Sequence, residues 1–330
     1  MTHLSIRLGA GLLFGAALNT GIALAATAET VKLATWNIEH LRATTNAGPN
    51  PRTEADYERL ADYVQQLDAD IIAFQEVEGT EAAARIFEDT DYNIFISRRD
   101  HPMQTGFAVR EGIDVTQNPD LEALDVTDQG DLRHGTDITV TVNGEEIRML
   151  SIHLKAFCFD KPLDDSSNDC VRLNEQLSVL ESWIDARATT ETPFVVLGDF
   201  NRRLNVAGDE FWVEIDDADP ANADLTNSTD GLISQCWDSQ FPEYIDHIVT
   251  DRITSEWVVP DSFQQIVFTE PIGQQEQLSD HCPIAITLDV PEEEDGLIDS
   301  ILSGPRQEIL ERIEEIEREL DELRDLIRLF

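Results

Sequence analysis

Six short segments of the sequence place an acidic, amide or imidazole side chain within or just after an apolar, strand-like run. They are Thr35-Trp36-Asn37-Ile38, Phe74-Gln75-Glu76-Val77, Ser151-Ile152-His153-Leu154, Gly198-Asp199-Phe200-Asn201, Tyr244-Ile245-Asp246-His247 and Ser279-Asp280-His281. One such segment is typical of a turn or a satisfied polar group. Six in order indicate one shared site, because α/β folds assemble their sites at strand ends.

The side-chain types in these segments suit the hydrolysis of an anionic ester. A phosphodiester carries a negative charge and resists anionic nucleophiles, and a divalent cation offsets that charge and orients the phosphoryl group. Carboxylate and amide oxygens are the hard ligands that such a cation prefers. An imidazole paired with a carboxylate is a suitable base for activating water.

The ordered set resembles the endonuclease/exonuclease/phosphatase superfamily, the deoxyribonuclease I-like fold, over nearly all of Val31 to Val290. The Gly-Asp-Phe-Asn segment at Gly198 and the Ser-Asp-His segment at Ser279 are its most specific parts. The resemblance implies an α/β (α+β) fold: a four-layer sandwich of two mixed β-sheets flanked by helices, with a polar cleft at the strand ends.

The resemblance also implies roles for individual residues. Asn37 and Glu76 match the metal positions of the family, and Asp280 contributes through the ion or its waters. The expected cofactor is Mg²⁺, with Mn²⁺ or Ca²⁺ as alternatives. His281 matches the base of the family, and Asp246 matches the carboxylate that orients it.

Further catalytic roles come from the same resemblance. Asp199 and Asn201 would position the nucleophile, bind phosphate oxygens or hold a second ion, and His153 would contact the phosphate or aid the leaving group. In deoxyribonucleases the histidine that matches His153 is paired with a glutamate, and the present sequence does not reveal which residue would be that partner. Glu78 is an alternative metal ligand to Glu76, because it lies two residues further on the same face of an extended strand.

Three cations are candidate phosphate contacts. Lys155 follows His153 by two residues and would point to the same side of its strand, although a surface role is equally open. Arg133 and Arg202 lie near the motifs and could bind phosphate oxygens.

Alternating strand-like and helix-like segments surround the motifs. Helical spacing is found in Glu54 to Leu67 and Leu173 to Ala186, and Asn143-Gly144 is a strong hairpin signal between two apolar runs. The strand-like runs are Val31 to Trp36, Asp70 to Phe74, Ile138 to Val142, Glu146 to Leu154, Phe194 to Leu197, Tyr244 to Val249 and Pro283 to Leu288.

The ends of the chain differ from its middle. Arg7 and an apolar stretch that ends at Ala23-Leu24-Ala25 have the form of a cleavable signal, which predicts export to the periplasm or the extracellular space. The predicted organisation is a signal peptide at 1–25, a catalytic domain at 26–290, an acidic linker at 291–305 and a C-terminal coiled-coil helix at 306–330. No integral membrane span is expected after removal of the signal.

Export permits disulfide bonds between the cysteines, which are even in number and lie beyond the signal. Four cysteines allow three pairings. We favour Cys158 with Cys170, which closes a short polar loop, and Cys236 with Cys282. No CxxC pair is present, so a thiolate zinc site is not expected.

The C-terminal helix carries an apolar heptad seam. Ile313, Leu320 and Ile327 fall at a, and the d positions are Ile309, Ile316, Leu323 and Phe330. In a parallel pair the charged residues at e and g attract each other, which favours a homo-oligomer through residues 306–330. A lone amphipathic helix docked on the catalytic domain is the alternative, and the seam does not distinguish dimer from trimer.

The formal charge of −43 constrains the partners. A solvated acidic surface explains it best, and it opposes wide non-specific contact with nucleic acid, which depends on neutralising phosphates. The predicted function is an exported phosphodiester hydrolase, in first place an endonuclease acting on DNA or RNA. A phosphatase or phosphodiesterase for small or lipid phosphate esters is the alternative, and a non-enzymatic oligomeric binding module is the alternative of another class.

Overall fold

The computed structural model describes residues 29–87, 91–127, 129–275 and 277–292. The predicted signal peptide, nearly all of the predicted acidic linker and the predicted coiled-coil helix lie outside these residues. Within them, no helix is both long enough and apolar enough to cross a bilayer.

Strands and α-helices alternate along much of the described chain, whereas five strands follow one another between Tyr92 and His153 with no α-helix between them. The strands are β1 (Glu29–Leu41), β2 (Ile71–Val77), β3 (Tyr92–Ile96), β4 (Gln104–Arg110), β5 (Asp114–Gln117), β6 (Thr136–Val142), β7 (Glu145–His153), β8 (Phe194–Asp199), β9 (Thr226–Asn227), β10 (Asp246–Thr250), β11 (Gln264–Gln265) and β12 (Ile284–Val290). The helices are α1 (Glu54–Leu67), α2 (Gly79–Phe87), α3 (Asn168–Ala188), α4 (Glu210–Ile215), α5 (Arg252–Ser255) and α6 (Ile272–Gln275).

The strands form two mixed six-stranded sheets. The first has the order β11-β12-β1-β2-β4-β3, and the second has the order β5-β6-β7-β8-β10-β9. Each sheet has one parallel pair near its centre, β1 with β2 and β7 with β8, and the other pairs are antiparallel. The parallel pairs bring two strand ends together in each sheet.

Both faces of the central strands are buried, which explains their continuous apolar runs. In β2, Ile71 packs in the core between the sheets, whereas Ile72 packs against the helices outside. Likewise, Val195 of β8 packs in the core between the sheets and Val196 packs against the helices outside. The outer clusters include residues of α1 and α2 on one side and of α3 and α4 on the other. The layers are therefore helix, sheet, sheet and helix, which confirms the predicted sandwich.

Several local predictions are confirmed. Helix α1 has the predicted bounds, and the β6–β7 hairpin turns at Asn143 and Gly144, both at positive φ as a type I′ turn requires. The structure forms both favoured disulfides, Cys158–Cys170 and Cys236–Cys282. Helix α3 begins earlier than predicted, at Asn168.

Candidate active site

The motif residues lie at the ends of the central strands. His153 ends β7 and Asp199 ends β8, and the parallel register places them side by side. Asp246 begins β10 opposite Asp199, because β10 runs antiparallel to β8. Asn37 of β1 reaches across the sandwich, and its Nδ2 lies 3.0 Å from Asp199 Oδ2. The same Nδ2 lies 3.3 Å from Glu76 Oε1 at the end of β2.

Gly198 explains part of the Gly-Asp-Phe-Asn motif. Its φ is +146°, and a Cβ atom there would lie 2.1 Å from the carbonyl oxygen of Ile152 on the neighbouring strand. Only glycine allows β7 and β8 to approach this closely. The glycine therefore sets the spacing between His153 and Asp199.

His281 and Asp246 form a close pair. The Nδ1 atom of His281 lies 2.7 Å from Asp246 Oδ2, and its Nε2 lies 3.8 Å from Asp199 Oδ2. The backbone around His281 is held by the Ser279 hydroxyl, which accepts from its N–H, and by the Trp36 indole, which donates to its carbonyl. Burial opposes the imidazolium, but the Asp246 and Asp199 carboxylates outweigh it and raise the pKa of His281 well above its usual value.

Asp199 is buried at the centre of the site. Its carboxylate accepts from the backbone N–H of Asn201 at 2.8 Å and from the side-chain amides of Asn37 and Asn201 at 3.0 Å. Burial raises its pKa to about 7, against the lowering effect of His281 and these hydrogen bonds. The residue is therefore fixed in one orientation, with Oδ2 facing both His153 and His281.

His153 is a buried, neutral imidazole. Its Nε2 lies 3.4 Å from Asp199 Oδ2 and 3.8 Å from Glu76 Oε1. Burial, followed by the charge of Arg133, lowers its pKa well below the usual value. Its Nδ1 has no hydrogen-bond partner within the described part of the chain, so the glutamate that the sequence did not reveal is not found there either.

Glu39 of β1 lies close enough to Glu76 of β2 and to Asp280 for their charges to interact. Glu76 accepts from the backbone N–H of His40 at 3.1 Å, and Glu39 accepts from the backbone N–H of Asp280 at 3.0 Å. Burial, together with the nearby Asp280 and Glu76, raises the pKa of Glu39 to about 7 although Arg52 opposes the shift. A divalent cation would relieve this repulsion, and the oxygen ligands suit Mg²⁺, Mn²⁺ or Ca²⁺. The donor set therefore fits the metal that the sequence predicts.

Sequence reasoning missed Glu39 and His40 at this cluster. Both residues have positive φ within an irregular part of β1, so the alternation of side chains along a regular strand gives no signal for them in the sequence. His40 has its Nδ1 3.4 Å from Glu76 Oε2. The alternative ligand Glu78 pairs instead with Arg42 at 3.0 Å.

The three phosphate-contact candidates have different surroundings. Arg133 donates from Nε to the carbonyl of His153 at 3.0 Å and from Nη2 to the carbonyl of Leu154. Burial lowers its pKa to about 10, while the nearby Asp199 and Glu76 carboxylates oppose the shift. Arg133 is therefore a cation at the edge of the site.

Arg202 and Lys155 are bound elsewhere. Arg202 is buried, its Nε and Nη2 are bound by Asp209, and its Nη1 donates to the carbonyls of Cys158 and Lys161. Because these partners take up its donors within the protein, we do not include Arg202 among the phosphate contacts proposed below. Lys155 Nζ lies 2.6 Å from Asp169, so the structure supports its alternative role in a partly exposed ion pair.

The stacked mixed sheets and the polar cleft at their strand ends define an α/β sandwich of the deoxyribonuclease I type. The chain belongs to the Endonuclease/Exonuclease/phosphatase family, whose sequence profile matches residues 34–281. It is accordingly a metal-dependent phosphoric ester hydrolase. Comparison with curated protein sequences finds no match.

Solved structures share the fold at low sequence identity. TDP2 from Caenorhabditis elegans has a TM-score of 0.56 and 16% identity, over 79% of this chain and 75% of that one. TDP2 from D. rerio, in complex with a single strand DNA product, has a TM-score of 0.54 and 20% identity over 78% and 98%. The 3′ phosphatase NExo from Neisseria, bound to a product DNA hairpin, has a TM-score of 0.51 and 17% identity over 78% and 99%.

Proposed function

We propose that this enzyme is an exported nuclease that cleaves internal phosphodiester bonds with a divalent cation and a water activated by His281. The observation that carries the proposal is the group formed by His281, Asp246 and Asp199. Its ligand atoms lie within 4.8 Å of one another, where the two sheets meet. Such a group could itself hold a cation, but the 2.7 Å hydrogen bond between His281 and Asp246 favours the arrangement of a base and its orienting carboxylate.

The cation would be held by Asn37, Glu76 and Asp280, with Glu39 close enough to contribute. When bound, it supplies charge neutralisation for the phosphoryl group. The amide of Asn37 also donates to Asp199, so this residue connects the metal cluster to the centre of the site. A shift of Asn37 would disturb both.

His281 would accept the proton of the attacking water at Nε2. That atom faces the buried Asp199, whose remaining oxygen lone pairs can orient the water. Asp246 holds the Nδ1–H of His281, fixes the tautomer and stabilises the imidazolium that forms. The proton therefore moves from water to Nε2 while Nδ1 stays bonded to Asp246.

His153, Asn201 and Arg133 would contact the phosphate. Since His153 is neutral, the tautomer with its proton on Nε2 can donate to a phosphate oxygen between Asp199 and Glu76. Asn201 lies beside it, with its amide bonded to Asp199 and to the carbonyl of Leu154. Arg133 adds positive charge from the other side of the β7 end.

Nucleic acid is the substrate class we favour. The D. rerio TDP2 and Neisseria NExo structures with the same fold hold DNA products. The charge of −43 supports the second candidate, a phosphatase for small or lipid phosphate esters, because a wide basic groove is not expected on such a chain. Both candidates use the same catalytic residues.

Export and self-association belong to the same proposal. The two disulfides support an oxidising compartment, either the periplasm or the extracellular space. We further propose that residues 306–330 join copies of the chain into a homo-oligomer. Removal of the residues after Val290 should lower the number of chains per particle measured by sedimentation and preserve turnover; an unchanged oligomeric state would contradict the coiled coil.

One assay tests the catalytic proposal. Purified protein with Mg²⁺ is given plasmid DNA, RNA, bis-p-nitrophenyl phosphate and p-nitrophenyl phosphate, and we expect diester cleavage that EDTA abolishes and Mg²⁺ or Mn²⁺ restores. Asp199→Ala and His281→Ala should abolish it, while Asp289→Ala, at an exposed position on β12, should retain it. Cleavage of the monoester alone would favour the phosphatase, and full turnover in His281→Ala would refute the base assignment.

A further inference from the structure

A pocket of about 470 Å³ adjoins the catalytic pair. Its lining includes the aromatic side chains of Phe159, Trp237, Phe241 and Tyr244, and Asp246 and His281 are part of the same wall. Pockets that bind small ligands span roughly 300–1,000 Å³ and are lined mainly by apolar and aromatic groups. A group attached to the phosphate at His281 could therefore extend directly into this cavity.

Exposed aromatic rings mark the same region. Phe241 is 60% exposed and Phe157 is 62% exposed, and they are the aromatic members of the exposed large hydrophobic residues in the described parts of the chain. The Phe157 ring lies 6.1 Å from that of Phe159, which lines the pocket. Two solvent-exposed phenylalanines beside one cleft favour a partner with a flat apolar face.

The charges around the pocket exclude an anionic occupant. Asp246, Asp280 and Glu243 are part of the lining. The Arg203 guanidinium is paired with Asp160 at 2.5 Å, and the His281 imidazole is paired with Asp246 at 2.7 Å. A second phosphate would be repelled there, whereas a neutral planar ring would not. A nucleobase has this character and is joined through its sugar to the scissile phosphate.

The pocket wall is held in place by covalent and hydrogen bonds. The Cys236–Cys282 disulfide joins the segment that carries Trp237 and Phe241 to the residue after His281. The Tyr244 hydroxyl donates to the amide oxygen of Gln265 at 3.2 Å. The aromatic wall is therefore fixed relative to the base, as a specificity pocket requires.

We propose that this pocket binds the unpaired nucleobase next to the scissile phosphate, by stacking against Phe241 and its aromatic neighbours. The inference rests on the proposed nuclease function and defines its substrate as single-stranded or locally unpaired nucleic acid. A base in a duplex is paired and stacked on its neighbours, so it must leave the helix to enter the pocket. Stacking one base on an aromatic side chain corresponds to roughly 5- to 150-fold in affinity.

The test compares two single-stranded oligomers with the same charge and backbone. One is oligothymidylate, and the other has an abasic tetrahydrofuran residue at every position. With full-length enzyme and Mg²⁺, we expect kcat/KM to be roughly 5- to 150-fold higher for oligothymidylate. Phe241→Ala should reduce this ratio mainly through KM, and Phe241→Tyr should preserve it. The exposed Val213 provides a control, because Val213→Ala lies on α4 outside the pocket and should leave the ratio unchanged.

The outcomes separate the pocket from the function. Equal cleavage of both oligomers, or a ratio unaffected by Phe241→Ala, would overturn the base pocket and leave the nuclease proposal standing. Failure to cleave either oligomer, together with failure to cleave plasmid DNA and RNA, would overturn both. Annealing the oligothymidylate to its complement should lower kcat/KM, and faster cleavage of that duplex would also contradict an unpaired base in the pocket.

Discussion

The substitution Asp246→Asn tests the base assignment most directly. It removes one charge and preserves the shape of the side chain, so the asparagine oxygen can still accept from His281 Nδ1. Only 12% of the His281 side chain and 11% of the Asp246 side chain are exposed, so solvent screens the pair weakly. Any loss of rate would then report the charge that stabilises the imidazolium during proton transfer.

The contact geometry gives the size of the effect. A hydrogen bond to a charged group contributes at least about 1.5 kcal/mol, and two unit charges about 4 Å apart interact by about 4 kcal/mol at an effective dielectric of about 20. Since about 1.36 kcal/mol corresponds to tenfold in rate, kcat should fall roughly 10- to 1,000-fold. His281→Ala removes the base itself and should cost more, up to about 10⁴-fold.

The pH profile should change in a defined direction. His281 must be neutral to accept a proton, and Asp246 and Asp199 raise its pKa, so activity should increase as the pH rises through that elevated value. Asp246→Asn stabilises the His281 imidazolium less, so the acidic limb of the variant's pH–activity profile should move to lower pH. The maximal activity of the variant should nevertheless be lower than that of the wild type. Steady-state hydrolysis of bis-p-nitrophenyl phosphate between pH 5 and 9 measures both effects.

Asp289→Asn provides the control, because it makes the same chemical change at an exposed position on β12. Circular dichroism of both variants checks that the fold is intact. A folded Asp246→Asn enzyme with wild-type kcat and an unmoved acidic limb would show that Asp246 does not assist the base, and the role of His281 would need to be reassigned.

Four further perturbations have defined effects on stability or activity. Asp137→Asn removes the charge of a buried carboxylate that pairs with Arg148 and accepts from the Trp183 indole. Thermal or urea melts should show a free energy of unfolding about 3–5 kcal/mol lower, whereas kcat of the folded enzyme should be unchanged. Reduction of both disulfides should lower the free energy of unfolding by about 3 kcal/mol for Cys158–Cys170, whose sequence separation is 12, and by about 4 kcal/mol for Cys236–Cys282, whose separation is 46. The loss is measured as a lower Tm. Arg133→Ala should raise KM for a diester more than it lowers kcat, and the reverse result would indicate a transition-state contact. Mg²⁺ should raise Tm more at pH 8 than at pH 5.5, and equal shifts would argue against the carboxylate cluster as the metal site.

The central strands could be predicted from the sequence because neighbouring residues alone carry their signals. Runs such as Ile71 to Phe74 are apolar throughout, and the Asn143-Gly144 turn fixes its hairpin by backbone conformation alone. Strands β3, β4, β5, β9 and β11 were not predicted. Strands β5, β9 and β11 are short and mostly polar, so their sequences have no strong apolar signal.

The motif residues that end parallel strands were predictable, but the directions of their neighbours were not. Asn201 has a φ of +50°, and the chain turns there, so Arg202 leaves the cleft and pairs with Asp209. Glu39 and His40 also have positive φ, so regular alternation fails at this end of β1: the His40 N–H donates to Glu76, and Glu39 accepts from the Asp280 N–H. The hydrophobic periodicity of a single sequence does not predict these turns.

The aromatic pocket depends on a different kind of information. Its walls come from loops around Phe159 and Phe241 that are distant in sequence and have no strand or helix period. An aromatic side chain in a loop, such as Trp237, carries no sequence signal for which surface it faces. Only the pairing of Cys236 with Cys282 indicated that this loop lies beside His281.

The carboxylates at the site connect stability with catalysis. Glu39 and Asp199 both have a pKa raised to about 7, mainly by burial, so the folded state holds their protons more tightly than the unfolded chain does. Stability contributed by these groups is therefore greatest below about pH 4 and decreases as the pH rises toward 7, where both ionise in the fold. A cation that binds only the folded protein adds stability that grows with the logarithm of its concentration above Kd, and it favours the ionised carboxylates. The cluster around Glu39 that costs the metal-free protein stability near neutral pH is thus the one that we propose to hold the cation.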